Sequence, residues 1–289
     1  LSDFRSVDGG ATWSSEVPIS VARSPVLAGG LREGLNPSSS AGVDGAGRIY
    51  VAWQDCKFRP HCSTDENVAN GGANDIVFST SADGLNWSQV KRIPISPVKS
   101  SVDAFLPGLG VDPATSGSHA HLALTYYYYP RANCDFSSCQ LDVGFVSSTD
   151  GGATWSPPIK LAGAMKLSWL PDSEHGPMVG DYFATSFTSD GLAHGVFAVA
   201  KAPTNGHFDE AIYTTTHGLR PASPCVVPKV VGESLAKAKA AIGKHNCRTG
   251  TIRRAGSARV RKGLVISQEP KPRKILAAGA KVSLVVSRG

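Results

Sequence analysis

No run of apolar residues in this chain approaches the ~20 needed to span a bilayer, which excludes a membrane-crossing helix. No two cysteines have C-x-x-C spacing, so the common thiolate zinc and redox motifs are missing. Neither an initiator methionine nor a secretory leader stands at the start. The chain opens at Leu1, inside what reads as the last hairpin of a repeating unit, and a processed or truncated N-terminus is expected. Glutamate is scarce, with only Glu16, Glu33, Glu66, Glu174 and Glu210 before residue 225. After that point acidic residues almost vanish: residues 225–289 hold 2, against 15 Lys and Arg.

That second scarcity divides the chain. Residues 1–224 carry 14 basic and 21 acidic residues, a net of −7, whereas residues 225–289 carry 15 and 2, a net of +13. A break of this size argues for two domains with different partners. Arg220-Pro221-Ala222-Ser223-Pro224 reads as a short stiff linker, giving domains at 1–219 and 225–289 around a linker at 220–224.

An octapeptide recurs in the first part. Ser6-Val7-Asp8-Gly9-Gly10-Ala11-Thr12-Trp13 returns as Ser148-Thr149-Asp150-Gly151-Gly152-Ala153-Thr154-Trp155, with a shortened copy, Ser81-Ala82-Asp83-Gly84-Leu85-Asn86-Trp87, between them. The chemistry is that of a hairpin turn. Glycine takes positive φ without a Cβ clash, and the Asp and Ser side chains accept from backbone N–H groups further along the turn. The Trp should re-enter the next strand and bury its ring. The shortened copy places its glycine one residue early and should turn more tightly. Strand-turn-strand patterns around Ala41–Trp53, Pro107–Tyr126 and Pro177–Val199 supply further strands, with four per unit in the first two cases.

The motif S-x-D-x-G-x-T-W resembles the Asp-box, or bacterial neuraminidase repeat, of sialidase-like β-propellers. The resemblance implies a mainly β chain of propeller blades, here about three and a half, with a partial propeller as the expected fold. It also implies that Ser6, Asp8, Gly10, Trp13, Ser81, Asp83, Trp87, Ser148, Asp150, Gly152 and Trp155 are structural.

The basic segment combines Val227-Pro228-x-Val230-x-Gly232, an Ala-rich helix over 235–244 capped by Ser234, Gly263-x-Val265-x-x-Gln268-x-Pro270 and Gly279-x-x-Val282. This order resembles the PASTA domain of penicillin-binding proteins and bacterial serine/threonine kinases, a small α/β module. Arg273 departs from it, standing where that family often has glycine.

Six cysteines allow fifteen pairings. Sequence proximity favours Cys56 with Cys62, Cys134 with Cys139, and Cys225 with Cys247, and disulfides would point to an oxidising compartment. Cys56, His61 and Cys62 are the rival metal reading; His119 and His121, one pleat apart on a strand, lack a third ligand. No metal and no cofactor are expected.

A sialidase-like active site needs an arginine cluster, a Tyr nucleophile with a Glu partner, and an Asp acid/base. Arg92-Ile93-Pro94 looks like the family's arginine motif but follows an Asp-box, and no full catalytic set can be assembled. Loops at inner-strand ends build propeller ligand sites, and they nominate Asp55, Arg59, Asp103, His175, Asp181 and Tyr182. The expected function is that of a secreted or wall-associated bacterial protein. Its propeller would bind glycans or proteins, and its tail would bind peptidoglycan or an anionic wall polymer. The alternative is a sialidase-type exo-glycoside hydrolase whose catalytic residues lie partly upstream. Membrane insertion is not expected. Specific nucleic-acid binding is disfavoured by the cysteines and by the wall-domain resemblance.

Overall fold

Short β-branched and aromatic runs, punctuated by Gly, Pro and Ser, give strands almost throughout. The structure is a computed structural model that describes residues 1–34, 38–60, 62 and 72–289. A hairpin of β1 (Ser2–Asp3) and β2 (Val17–Pro18) comes first. Sheet 1 follows as β3 (Ser39–Val43), β4 (Ile49–Asp55), β5 (Asp75–Ser81) and β6 (Lys91–Arg92). Sheet 2 is β7 (Asp103–Val111), β8 (Leu122–Tyr129), β9 (Gln140–Ser148) and β10 (Ile159–Lys166). Both are antiparallel meanders, the four-stranded units that the repeats predict. A small hairpin, β11 (Asp172–Ser173) and β12 (Gly176–Pro177), leads to a three-stranded sheet 3 of β13 (Ala184–Phe187), β14 (Ala193–Thr204) and β15 (His207–Thr214).

The first strands lie side by side, β3 against β7 and β7 against β13. Small residues make this approach possible. A Cβ on Gly42 would stand 2.6 Å from Val111 Cγ2, and one on Gly110 would stand 2.6 Å from the Thr185 carbonyl oxygen. The sheets then pack face to face. Tyr50, Ile76 and Phe78 meet Leu122, Tyr126 and Trp155 between sheets 1 and 2. Tyr127, Val143 and Phe145 face sheet 3, where they meet Phe197, Ala193 and Phe187. The outer face of sheet 1, with Val51, Trp53 and Val77, is covered by Ile19 and Ala22 of the N-terminal segment.

The third unit differs from the expected pattern. Its first strand is Ala184–Phe187, and not the Pro177–Tyr182 run. Val179 and Gly180 donate their N–H groups to the Glu33 carboxylate at 2.8 and 2.9 Å, so those amides are spent on a side chain and not on a sheet. His119 also departs from expectation. It lies in a 3-10 turn, Gly117–His119, and does not share a strand with His121.

The C-terminal part comprises β16 (Cys225–Val226), α1 (Leu235–Lys244), β17 (Arg248–Ala255), β18 (Val265–Glu269), β19 (Ile275–Leu276) and β20 (Lys281–Ser287). β20 is central, parallel to β17 and antiparallel to β18. Ser234 caps α1 by accepting from Lys237 N, a device worth about 1 kcal/mol. The helix presses Ala238 and Ile242 onto Val265, Val282 and Leu284 in a core of its own. Arg273 takes the left-handed conformation, φ 68, that glycine would favour, and its N–H still reaches Val227 O at 2.8 Å. The left-handed conformation is thus adopted in spite of the side chain.

The cysteines form the three local disulfides, Cys56–Cys62, Cys134–Cys139 and Cys225–Cys247. No thiolate is left to ligate a metal; His61 and Glu66 lie outside the described residues. The Pro-rich connector is anchored, with Pro221 buried and Ala222 N donating to Ser147 Oγ at 3.1 Å.

Candidate functional site

The three repeated turns share one wiring. Asp150 Oδ1 accepts from Thr154 N and Ser148 Oγ, both at 2.8 Å, while Oδ2 accepts from Thr154 Oγ1 at 2.6 Å. Ser148 Oγ in turn accepts from Gly152 N at 3.0 Å. Asp8 repeats every one of these bonds with Ser6, Gly10 and Thr12, and they hold its carboxyl at about 2, the Thr12 hydroxyl contributing most. In the middle copy Ser81 Oγ accepts from Gly84 N, three residues on and not four, which is the tighter turn expected. Asn86 replaces Thr, donating through both N and Nδ2 to Asp83. The tryptophans diverge. Trp155 is 3 % exposed and Trp87 half-buried, but Trp13 is 64 % exposed, against the expectation of a buried ring.

Three of the six nominated ligand residues are internal. Asp55 is buried and accepts from Trp53 Nε1 at 3.1 Å and from Lys57 N at 2.8 Å. Arg59 is buried in an ion pair with Asp75 at 2.6 Å, and Arg92 joins the same carboxylate oxygen at 2.7 Å. Its guanidinium also donates to the carbonyls of Pro97, Val98, Ser100 and Val102, setting the course of that loop. Asp103 accepts from Asn74 N at 2.7 Å and Nδ2 at 3.1 Å, and burial pushes its carboxyl up to about 7. Arg92, at the end of β6, is strand sequence with a buried ionic partner.

The other three lie at the surface or partly exposed. Asp181 pairs with Arg32, whose Nη1 also lies 3.4 Å from Met178 Sδ. Tyr182, next in the chain, is 86 % exposed, and His175 is exposed on the β11–β12 hairpin. Glu33 adjoins them. Its Oε1 takes the two amides of Val179 and Gly180, and its buried Oε2 has no partner among the described residues. Burial raises the Glu33 carboxyl. It also raises Glu210, on β15, to about 7, with the Glu33 charge adding to the effect. Sequence reasoning noted Glu33 and Glu210 only as members of a small set. Both depend on burial and on contacts some 150 residues away, which no local pattern reports. Arg32, Asp181 and Tyr182 thus form a surface polar cluster carrying an aromatic face, donors and a carboxylate, with the buried Glu33 beside it.

The C-terminal domain offers a second surface. Thr251 and Arg253 of β17, Ser283 and Val285 of β20, and Ser267 and Glu269 of β18 line an open groove of about 410 Å³ on the sheet. All 15 basic residues of this domain are exposed, and none forms an ion pair among the described residues.

Residues 226–288 match the PASTA domain family. No curated protein matches the chain. Among solved structures, the chain is similar to an α-L-arabinanase of Penicillium chrysogenum complexed with arabinobiose, at 15% identity and a TM-score of 0.38, over 77% of this chain and 61% of that one. It is also similar to a family 117 glycoside hydrolase of the marine bacterium Zobellia galactanivorans, at 13% identity and a TM-score of 0.33, over 62% of this chain and 50% of that one. The chain thus spans about 61% of the first of these proteins and 50% of the second.

Proposed function

We infer that this is a cell-wall-associated extracellular protein. Its C-terminal domain, residues 225–289, docks on peptidoglycan or an anionic wall polymer, while its β-sheet region presents a glycan- or protein-binding surface. The observation that carries the reading is the C-terminal domain itself: it matches the PASTA family, has its own core, and exposes its unpaired cations. Three disulfides fit an oxidising compartment. Exposed cations attract a polyanion over roughly a Debye length, about 8 Å at physiological salt, so that part of the affinity is screened. The groove over β17, β20 and β18 supplies shaped contacts that salt does not remove.

In the other region, the surface cluster of Arg32, Asp181 and Tyr182 suits a sugar. A ring stacks on the phenol, and hydroxyls bond the ion pair. No catalytic role is assigned to it. The test is retention of the full chain on purified peptidoglycan, with and without its attached polyanions, at low and moderate salt. Most binding should be lost on raising the salt, with a remainder on bare peptidoglycan that Arg253→Glu abolishes. No retention in any arm rejects the wall-docking role. Competition by DNA equal to that of wall polymer would make the binding one of charge alone.

A further inference from the structure

Sheets 1 and 2 each have a disulfide-closed loop after their second strand, and the arginines of the two loops are placed differently. Both loops contain Cys-x-Phe, Cys56-Lys57-Phe58 after β4 and Cys134-Asp135-Phe136 after β8. In the first, Arg59 is buried against Asp75 and a run of carbonyls. In the second, Arg131 is exposed and pairs with no carboxylate among the described residues. It lines a cavity of about 490 Å³, with Pro130, Asn133, Cys134, Ser138 and Gln140 as the rest of the wall. That volume lies within the ~300–1,000 Å³ of small-molecule sites. The wall offers a guanidinium, two side-chain amides and a hydroxyl, and no carboxylate. The loop's own acid, Asp135, is turned to its neighbours: Oδ1 accepts from the amides and hydroxyls of Ser137 and Ser138 at 2.7–3.0 Å. The wall is also fixed. The Cys134–Cys139 bridge closes the loop, and Ala132 is buried with its N–H donating to Ser101 O at 2.6 Å.

This loop adjoins the Arg32, Asp181 and Tyr182 cluster. Gly29 lies against it: a Cβ there would stand 3.1 Å from Cys139 Sγ and 3.4 Å from Phe136 Cα. Gly30, the next residue, touches the β11–β12 hairpin, since a Cβ on Gly176 would strike Gly30 O. Two residues further on, Arg32 pairs with Asp181. The three residues from Gly29 to Arg32 span at most about 11 Å. Phe136, 49 % exposed, and Tyr182, 86 % exposed, therefore stand at the two ends of one short strap of chain.

We propose that the cavity beside Arg131 is a second sugar subsite, continuous with the cluster, and that it takes the carboxylate-bearing sugar of a short oligosaccharide. The proposal rests on the sugar-binding reading of the cluster. The planar fork of Arg131 matches a carboxylate in a bidentate pair. The Asn133 and Gln140 amides and the Ser138 hydroxyl suit ring hydroxyls, which both donate and accept. The next units are neutral: one ring stacks on Phe136, and the chain continues to Tyr182 and the charge-balanced Arg32–Asp181 pair. A polyanion does not fit this end of the molecule, because residues 1–224 carry a net of −7 and repel a run of like charge.

Calorimetry of the full chain at about 0.15 M salt tests this, with tri- and tetrasaccharides that hold one glucuronic acid, each beside its carboxyl-reduced twin. Surface charge is largely screened there, and the C-terminal cations are the same in every variant. Arg131 and Phe136 are exposed, so Arg131→Gln and Phe136→Ser should fold, and unchanged urea midpoints verify it. Wild type should hold an acidic member at least about tenfold more tightly than its twin, the effect of one charge-assisted pair. Arg131→Gln should abolish that preference and leave the affinity for the twin unchanged. Phe136→Ser should weaken both forms. A wild type without the preference overturns the proposal, and so does a preference that survives Arg131→Gln. Should Tyr182→Ala weaken both forms while the other two variants change nothing, the cluster stands and the cavity falls. Should wild type hold neither form, the sugar reading of the cluster falls with it.

Discussion

Removing the Cys225–Cys247 bridge should nearly unfold the C-terminal domain and leave the rest of the molecule untouched. The bridge spans 22 residues. Loop-closure entropy for that length gives about 3.4 kcal/mol at 25 °C. A domain of this size holds only about 3–5 kcal/mol from its core, so Cys225→Ala with Cys247→Ala should leave roughly 1 kcal/mol or less. Both sulfurs are also buried in that core, where alanine packs less volume. The assay exploits composition, for residues 225–289 contain no Trp, Tyr or Phe. Tryptophan fluorescence therefore reports only the sheet region, while amide exchange in α1, β17, β18 and β20 reports the domain. The variant should keep the fluorescence transition and lose most of its exchange protection in those four elements. Protection within about 1 kcal/mol of wild type would refute the reasoning. A matching shift of the fluorescence transition would refute the independence of the two parts.

Asp150→Ala should cost about 2 kcal/mol in urea unfolding followed by tryptophan fluorescence, since it strips acceptors from a partly buried turn, whereas Asp8→Ala, at the exposed copy, should leave the midpoint unchanged. Folding holds the Asp103 proton up to about pH 7, while the unfolded chain releases it near pH 4. The folded state therefore binds more protons between these values, and stability should fall as pH rises from about 4 to about 7. Urea midpoints across that range should show a shallower fall for Asp103→Asn, with Glu210 supplying part of what remains; an unchanged slope would count against Asp103. Limited digestion with a protease of broad specificity should cut first near the exposed Arg220 and release a resistant basic fragment, and scattered early cuts within residues 225–289 would contradict a separate domain.

What could be read from the sequence was local. The turn wiring of Ser148, Asp150 and Thr154 sits within seven residues, and so does the tightening at Gly84. The helix of residues 235–244 was legible to the residue, because its cap and apolar face are encoded in one stretch. Positions decided by distant neighbours were not legible. The Pro177–Tyr182 run has strand character, yet Glu33 takes its amides from far away in the chain. Trp13 and Trp155 share an octapeptide and differ only in what lies beneath them. The six nominated ligand residues separated for the same reason. Strand-end position alone does not distinguish Asp103, sealed by Asn74, from Asp181 at the surface.

Arg59 holds residues 97–102 through main-chain oxygens, with Val98 and Lys99 pointing outward. A planar fork of donors reads backbone and not side chain. The course of this loop is therefore written outside the loop, and its outward residues are free to vary without losing it. That makes the segment a ready display platform, where a foreign peptide could be grafted in a fixed conformation so long as the guanidinium beneath it stays.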